Sequence, residues 1–162
     1  KSYCMTGWRL GYCGASKEII SGMNKIQSQS TTSTSSISMA ASVEALCGPQ
    51  NFIHDHNKSF VQRRNMVVSF LNSIEGISCL TPNGAFYVYP RCEGVIGKLT
   101  PDGKEIKNDE DFMNYLLETE GVAGVHGAAF GLSPYFRLSY ATSEQILKEA
   151  CMRIKRACEK LI

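Results

Sequence analysis

The sequence predicts an α/β chain in two parts, and three observations carry that expectation. Apolar residues at helical spacing alternate with short β-prone segments along most of the chain. Glycine and proline punctuate the changes from one period to the other. The composition also shifts near Gly48, from small residues to alternating helix and strand patterns. Residues 48–162 read as an α+β unit with helices packed on one face of a small sheet. Residues 1–47 form a separate part, and no internal repeat occurs.

The elements follow in order. Residues 8–15, WRLGYCGA, read as a short buried strand closed by glycine. Ser16 then offers an N-cap with Glu18 in the first turn. Ile19, Ile20, Met23 and Ile26 predict a helix to about Ser28, and the polar run SQSTTSTSS over 28–36 a loop. Residues 37–47 are small and apolar, predicting a buried helix ended by Gly48 and Pro49. A longer helix places Phe60, Met66, Val67, Phe70, Leu71 and Ile74 on one stripe and ends at Gly76. Residues 77–80 and AFYVYP, on either side of the turn at Pro82, Asn83 and Gly84, read as strands, and 93–107 as a surface loop. Asn108 caps a helix through Phe112, Tyr115, Leu116 and Leu117. Strands at 122–125 and 135–141 frame GAAFGLS. The last helix starts from a capping box of Thr142 and Gln145 and carries the stripe Leu147, Ala150, Cys151, Ile154, Ala157, Cys158 and Leu161.

Composition narrows the function classes. The 162 residues are 43% hydrophobic and 20% charged, close to the globular average, which argues against disorder. A formal charge of +2, with no basic run longer than Arg63-Arg64, leaves a nucleic-acid partner without an electrostatic footprint. Apolar stretches stop short of a bilayer span, and the first twenty residues lack a signal-peptide pattern. The expectation is a soluble cytoplasmic protein without a membrane partner. Seven cysteines with no CxxC pair predict reduced thiols, mostly packed as small hydrophobes.

Four features could carry chemistry. Lys1, on position alone, is a solvated surface charge. Arg9 sits between Trp8 and Leu10, and a guanidinium in an apolar strand needs an anion. That anion is either a protein carboxylate or a ligand phosphate, which the fork of donors matches bidentately. Arg137 in YFRLSYA poses the same choice between a salt bridge and a ligand, and the glycines of GAAFG before it allow close approach of a ligand. His54-Asp55-His56 has a metal-binding look but no third ligand at a useful spacing, so no metal is expected.

KSYCMTGWRLGY closely resembles the active-site segment of the fold-type I pyridoxal-phosphate aminotransferases of class I. The likeness continues through IQSQSTTSTSSISMAASVEAL, GAFYVYP, GAAFG and FRLSYATS, and is closest to the bacterial aspartate aminotransferase subgroup. The resemblance implies that residues 1–47 are the C-terminal tail of the large cofactor domain and residues 48–162 the small domain. It implies that Lys1 holds pyridoxal 5'-phosphate as a Schiff base and moves the proton. It further implies that Arg9 clamps the cofactor phosphate and Arg137 grips the substrate α-carboxylate.

The family's serines before the lysine are absent, as are its ring-binding aspartate, asparagine and tyrosine and its phosphate loop. The resemblance thus implies the C-terminal part of a longer enzyme, inactive as an isolated piece. Two further departures stand out. His126 replaces a proline common in relatives, and only Lys17 and Lys25 offer a cation where some relatives place an arginine for a distal carboxylate. The segment from Ser30 to Ser33 resembles one that approaches the neighbouring subunit's cofactor, so a homodimer is implied. The implied activity is transfer of an amino group between aspartate and 2-oxoglutarate or oxaloacetate. Aromatic amino acids, prephenate, alanine and kynurenine are rival substrates, and a non-catalytic fragment is the rival from another class.

Overall fold

The computed structural model describes residues 2–162, so the expectations placed on Lys1 fall outside the described residues. The chain divides into two compact units, the first ending at His56 and the second comprising Asn57–Ile162.

The first unit holds a 3-10 turn at Thr6–Trp8, helix α1 (Lys17–Ser30), helix α2 (Ser36–Cys47) and the opening turns of helix α3 (Asn51–Leu71). The strand expected over 8–15 does not form. A strand must pair its backbone N–H and C=O groups, and the described residues of this unit contain no partner strand. Arg9 instead adopts a left-handed backbone, φ 52° and ψ 49°, and is exposed rather than buried. Helix α1 continues two residues beyond the expected stop, and Thr32 turns the connection with φ 66°.

Helix α2 forms where the small apolar run predicts it but is not a buried helix. Its only buried residues are Ser38 and Ser42, while Ile37, Met39, Val43 and Leu46 are exposed, as are Ile19, Met23 and Ile26 of α1. Two helices and an irregular segment supply too little chain to enclose these apolar faces.

The second unit is built on a three-stranded antiparallel sheet in the order β1-β3-β2, with β1 at Tyr87–Val88, β2 at Val125–His126 and β3 at Phe136–Ser139. Tyr87 pairs with Ser139 and Val88 with Leu138 on one side of β3. Val125 pairs with Arg137 and His126 with Phe136 on the other. The strands are shorter than AFYVYP and 135–141 suggest. Ala85 lies in the left-handed region with φ 61°, and Pro90 has no N–H to continue the ladder.

Side chains alternate across the pleat. Val88, Phe136 and Leu138 therefore turn into the core, and Tyr87 and Arg137 face the opposite way. The core joins Val67, Leu71 and Ile74 to Phe112 and Leu116 of α4 (Asp109–Glu120) and to Cys151, Ile154 and Ala157 of α5 (Glu144–Glu159).

Local signals set the helix ends. Asn108 caps α4 by accepting a hydrogen bond from the Asp111 amide at 2.9 Å. Helix α5 is capped one residue later than its sequence suggests, by Ser143 accepting from the Ile146 amide at 3.3 Å. Glu120, 4% exposed at its side chain, accepts from Arg156 and from Lys160 Nζ at 3.0 Å, tying the end of α4 to the end of α5. Those bonds hold its carboxyl down at about 2, against the burial that opposes them.

The segment 93–107 is not a plain surface loop, because Val95, Thr100 and Ile106 are buried within it. A bridge joins Leu99 to Glu105, and Leu99 exchanges two backbone hydrogen bonds with Ile162. Nearby, the backbones of Gly76 and Gly94 touch. A Cβ added at Gly94 would stand 2.4 Å from the Gly76 Cα, and Gly76 itself needs φ 83°. No helix among the described residues is long and apolar enough to cross a membrane.

Candidate functional site

In the first unit the segment bearing Arg9 is tied down at several points. The Ser38 hydroxyl donates to the Trp8 carbonyl at 2.9 Å, and the Tyr3 hydroxyl donates to Gln50 Oε1 at 2.8 Å. Arg9 Nη1 donates to the Thr6 carbonyl at 3.2 Å, and no carboxylate among the described residues pairs with the guanidinium. Arg9 lines a cavity of about 770 Å3 together with Tyr3, Thr6, Gly11, Tyr12 and Ser42. A fork of N–H donors left mostly free beside a cavity of that size fits a phosphate group.

In the second unit Arg137 stands on the central strand, half-buried. Its Cζ lies 4.5 Å from the centre of the Tyr87 ring and 4.3 Å from that of Phe130, both within cation-π range. Neither a hydrogen bond nor a salt bridge joins its guanidinium to a described residue. Of the two partners left open by the sequence, a structural salt bridge is therefore not the one found. The guanidinium is held by aromatic faces, which leaves its N–H edges for a ligand.

The turn that delivers Phe130 is a 3-10 segment, Gly127–Phe130. It is closely packed: a Cβ at Gly127 would meet the Leu132 carbonyl oxygen at 2.1 Å and the Tyr135 carbonyl oxygen at 2.7 Å. The Tyr89 hydroxyl donates to the carbonyls of Gly127, at 3.1 Å, and Leu132, at 3.3 Å, and its ring stacks on Tyr135 at 5.4 Å. Burial pushes the Tyr89 hydroxyl above its ordinary value, and the charge of Asp109 adds to that.

Asp109, the first residue of α4, is 1% exposed. Its carboxylate accepts from the Ala128 amide at 2.8 Å and from the Ser133 hydroxyl at 2.5 Å. Burial alone would raise its pKa. The hydrogen bonds from Ser133, Ala128 and neighbouring amides outweigh burial and hold the carboxyl below its usual range.

Sequence reasoning singled out both arginines as candidates but not the groups that lie against them. Tyr87 and Phe130 lie inside the quoted motifs GAFYVYP and GAAFG, and a period-2 register of Tyr87 against the strand of Arg137 was the signal available. Asp109 was hidden among three acidic residues that read as an ordinary first helical turn.

Other expectations concern side chains elsewhere. His54 and His56 are exposed on α3, His56 lying against Phe52, and among the described residues no group of three or more His, Cys, Asp or Glu could hold a metal ion. Lys17 and Lys25 are exposed on α1. The cysteines are all free thiols. Cys79, Cys92, Cys151 and Cys158 are buried, while Cys4, Cys13 and Cys47 are exposed. His126 keeps Nδ1 buried and without a hydrogen-bond partner.

In the first unit a guanidinium lies beside a cavity, and in the second another, on a small antiparallel sheet with flanking helices, lies against two aromatic rings; neither pairs with a carboxylate among the described residues. The chain belongs to the family aminotransferase class I and II, whose sequence model matches residues 1–154. It is 57% identical over 161 residues to an aspartate aminotransferase of Rhizobium meliloti, covering 99% of this chain and 39% of that relative. It is 53% identical over 161 residues to an aspartate/prephenate aminotransferase of Cereibacter sphaeroides, covering 99% and 40%.

Among solved structures, the aspartate aminotransferase from Rhizobium meliloti superposes with a TM-score of 0.95 at 57% identity, over 100% of this chain and 40% of that one. The Thermus thermophilus aspartate aminotransferase with maleate gives 0.85 at 34% identity, over 97% and 39%. The fold is thus the α/β fold of the fold-type I aminotransferases. The chain spans about two fifths of the length of these relatives.

Proposed function

We propose that this chain supplies part of the active site of a pyridoxal-phosphate aminotransferase that moves an amino group between aspartate and a 2-oxo acid, 2-oxoglutarate or oxaloacetate. The observation that carries the reading is Arg137, set on β3 against Tyr87 and Phe130 with no protein carboxylate among the described residues to satisfy it. A planar fork in that state suits the α-carboxylate common to amino-acid and 2-oxo-acid substrates.

Arg9, beside its cavity, is suited to the cofactor phosphate. When bound, pyridoxal phosphate supplies an electron sink for the bond broken at the substrate's α-carbon. Lys1 would be the covalent anchor; displaced by the incoming amino acid, its free Nζ would carry the proton between the substrate's α-carbon and the cofactor's C4′ carbon. The relatives named for aspartate support aspartate as the donor. Those named for aspartate and prephenate support prephenate as a second acceptor-side substrate class.

Residues 1–47 are proposed as the tail of a large cofactor domain and residues 48–162 as the small domain, the remainder of a longer enzyme completing the pocket. The exposed apolar faces of α1 and α2 are of the kind that other chain covers. We assign that cover to upstream parts of the same enzyme and to a homodimer partner approached by residues 30–33. On this reading the 162 residues alone are inactive, and the enzyme works in the cytoplasm.

The test is made in the full-length enzyme. Arg137→Lys keeps the charge but loses the bidentate edge, so the KM for every amino-acid substrate should rise about tenfold or more. An unchanged KM refutes the carboxylate role. Borohydride trapping followed by peptide mapping should place the label on Lys1, and a label elsewhere refutes its assignment.

A further inference from the structure

Asp109 is a nearly fully buried carboxylate, and among the described residues no cation pairs with it. Its two oxygens are spent on one task. Oδ2 takes the Ala128 amide at 2.8 Å and Oδ1 takes the Ser133 hydroxyl at 2.5 Å. Those donors flank the stretch that contains Phe130, whose ring centre lies 4.3 Å from Arg137 Cζ. Phe130 itself is 49% exposed, and its ring is held by one edge-on contact with Tyr89 at 6.3 Å, so packing around the ring fixes it only in part. The main chain on either side does the rest, through the two bonds to Asp109 and the close contacts at Gly127.

We propose that Asp109 is a positioning residue for carboxylate binding: by clamping the turn at Ala128 and Ser133 it sets Phe130 against the Arg137 guanidinium and fixes the direction in which that fork presents its N–H edge. The inference rests on the reading of Arg137 as the substrate carboxylate's partner. A second role for Asp109, an acid at the N-terminus of α4, would stabilise the helix but would leave ligand binding unchanged.

The two roles separate by substitution. Asp109→Ala removes both clamp bonds. Asp109→Asn preserves them, because its carbonyl accepts from Ala128 while its NH2 donates to a Ser133 hydroxyl turned round to accept. In the full-length enzyme loaded with cofactor, Asp109→Ala should raise KM for amino-acid substrates about tenfold with kcat changed far less, whereas Asp109→Asn should stay within about twofold of the parent. The Kd of succinate, a non-reacting dicarboxylate, should follow the same order by calorimetry. Amide exchange at Ala128 should quicken in Asp109→Ala alone.

In a Phe130→Leu background the further effect of Asp109→Ala on KM should vanish, since the ring through which it acts is gone. Should Asp109→Ala fail to fold, Ser133→Ala removes one clamp bond and should raise KM a few fold. A lower Tm with unchanged KM and Kd in Asp109→Ala overturns the proposal, as does a full additive effect in the Phe130→Leu background. If Arg137→Lys leaves KM unchanged, the carboxylate reading itself fails. If Arg137→Lys raises KM and Asp109→Ala does not, only the present inference fails.

Discussion

Phe112→Ala tests the support beneath the strand that carries Arg137. Phe112 is 0% exposed and meets the ring of Phe136, also 0% exposed, edge-on at 5.6 Å and 74°. Phe136 immediately precedes Arg137 on β3 and turns to the opposite face. Removing the ring forfeits about 2 kcal/mol of transfer free energy. A residual cavity of about 80 Å3 would add about 2 kcal/mol more. The total, about 4 kcal/mol, falls inside the range measured for buried aromatic truncations and is a large part of a domain's usual 5–15 kcal/mol, roughly. Urea unfolding followed by circular dichroism should show the midpoint falling with an unchanged slope, and thermal scans a Tm lower by about 15–30 °C. A loss under about 1 kcal/mol would show that the site collapses around the missing ring, and would refute the view of this pair as a rigid base for β3.

Three further outcomes follow from particular side chains. Glu120 has its carboxyl pulled from 4.5 to about 2 by Arg156 and Lys160, so its contribution to stability is complete above pH 4.5 and is lost as the pH falls toward 2. Glu120→Gln should therefore flatten the loss of Tm across that acid window, and an unchanged acid slope would contradict the assignment. Thiol labelling at neutral pH should reach Cys4, Cys13 and Cys47 first. Cys79, Cys92, Cys151 and Cys158, pushed by burial to about 11 or 12, should label only on unfolding; fast reaction of all seven would contradict the packing. Gly127→Ala should disrupt the turn under Phe130, because the added Cβ has two carbonyl oxygens within 2.7 Å; a variant with unchanged Tm and amide exchange there would refute that crowding.

What the sequence made legible was whatever depends on neighbours along the chain. The stripe on α5, the Asn108 cap and the body of the long helix were readable from period and cap chemistry, although that helix stops at Leu71 and not at Gly76 as its stripe suggests. What it concealed depends on what faces a segment across space. WRLGYCGA has the composition of a strand, yet without a partner strand Arg9 ends a 3-10 turn in a left-handed conformation. The apolar run of α2 reads as core, and within its unit nothing covers it. Thr100 and Ile106 look like loop residues and are buried, in a segment that Leu99 ties to Ile162 far along the chain. For the candidate site, residue type exposed the arginines, since a cation in an apolar segment is conspicuous. Asp109 was missed because its significance lies in two donors 19 and 24 residues away.

The contact between Gly76 and Gly94 has a consequence for how this fold can change. Where a bulky substitution strikes a side chain, trimming that side chain can make room. Here the obstacle to any side chain at Gly94 is the main chain of Gly76, and the obstacle at Gly76 is the main chain of Gly94. No second-site trimming can make room, since neither partner has anything left to remove. In a deep substitution library the two positions should accept no alternative singly or together, which makes this crossing a fixed point around which the rest of the unit is free to vary.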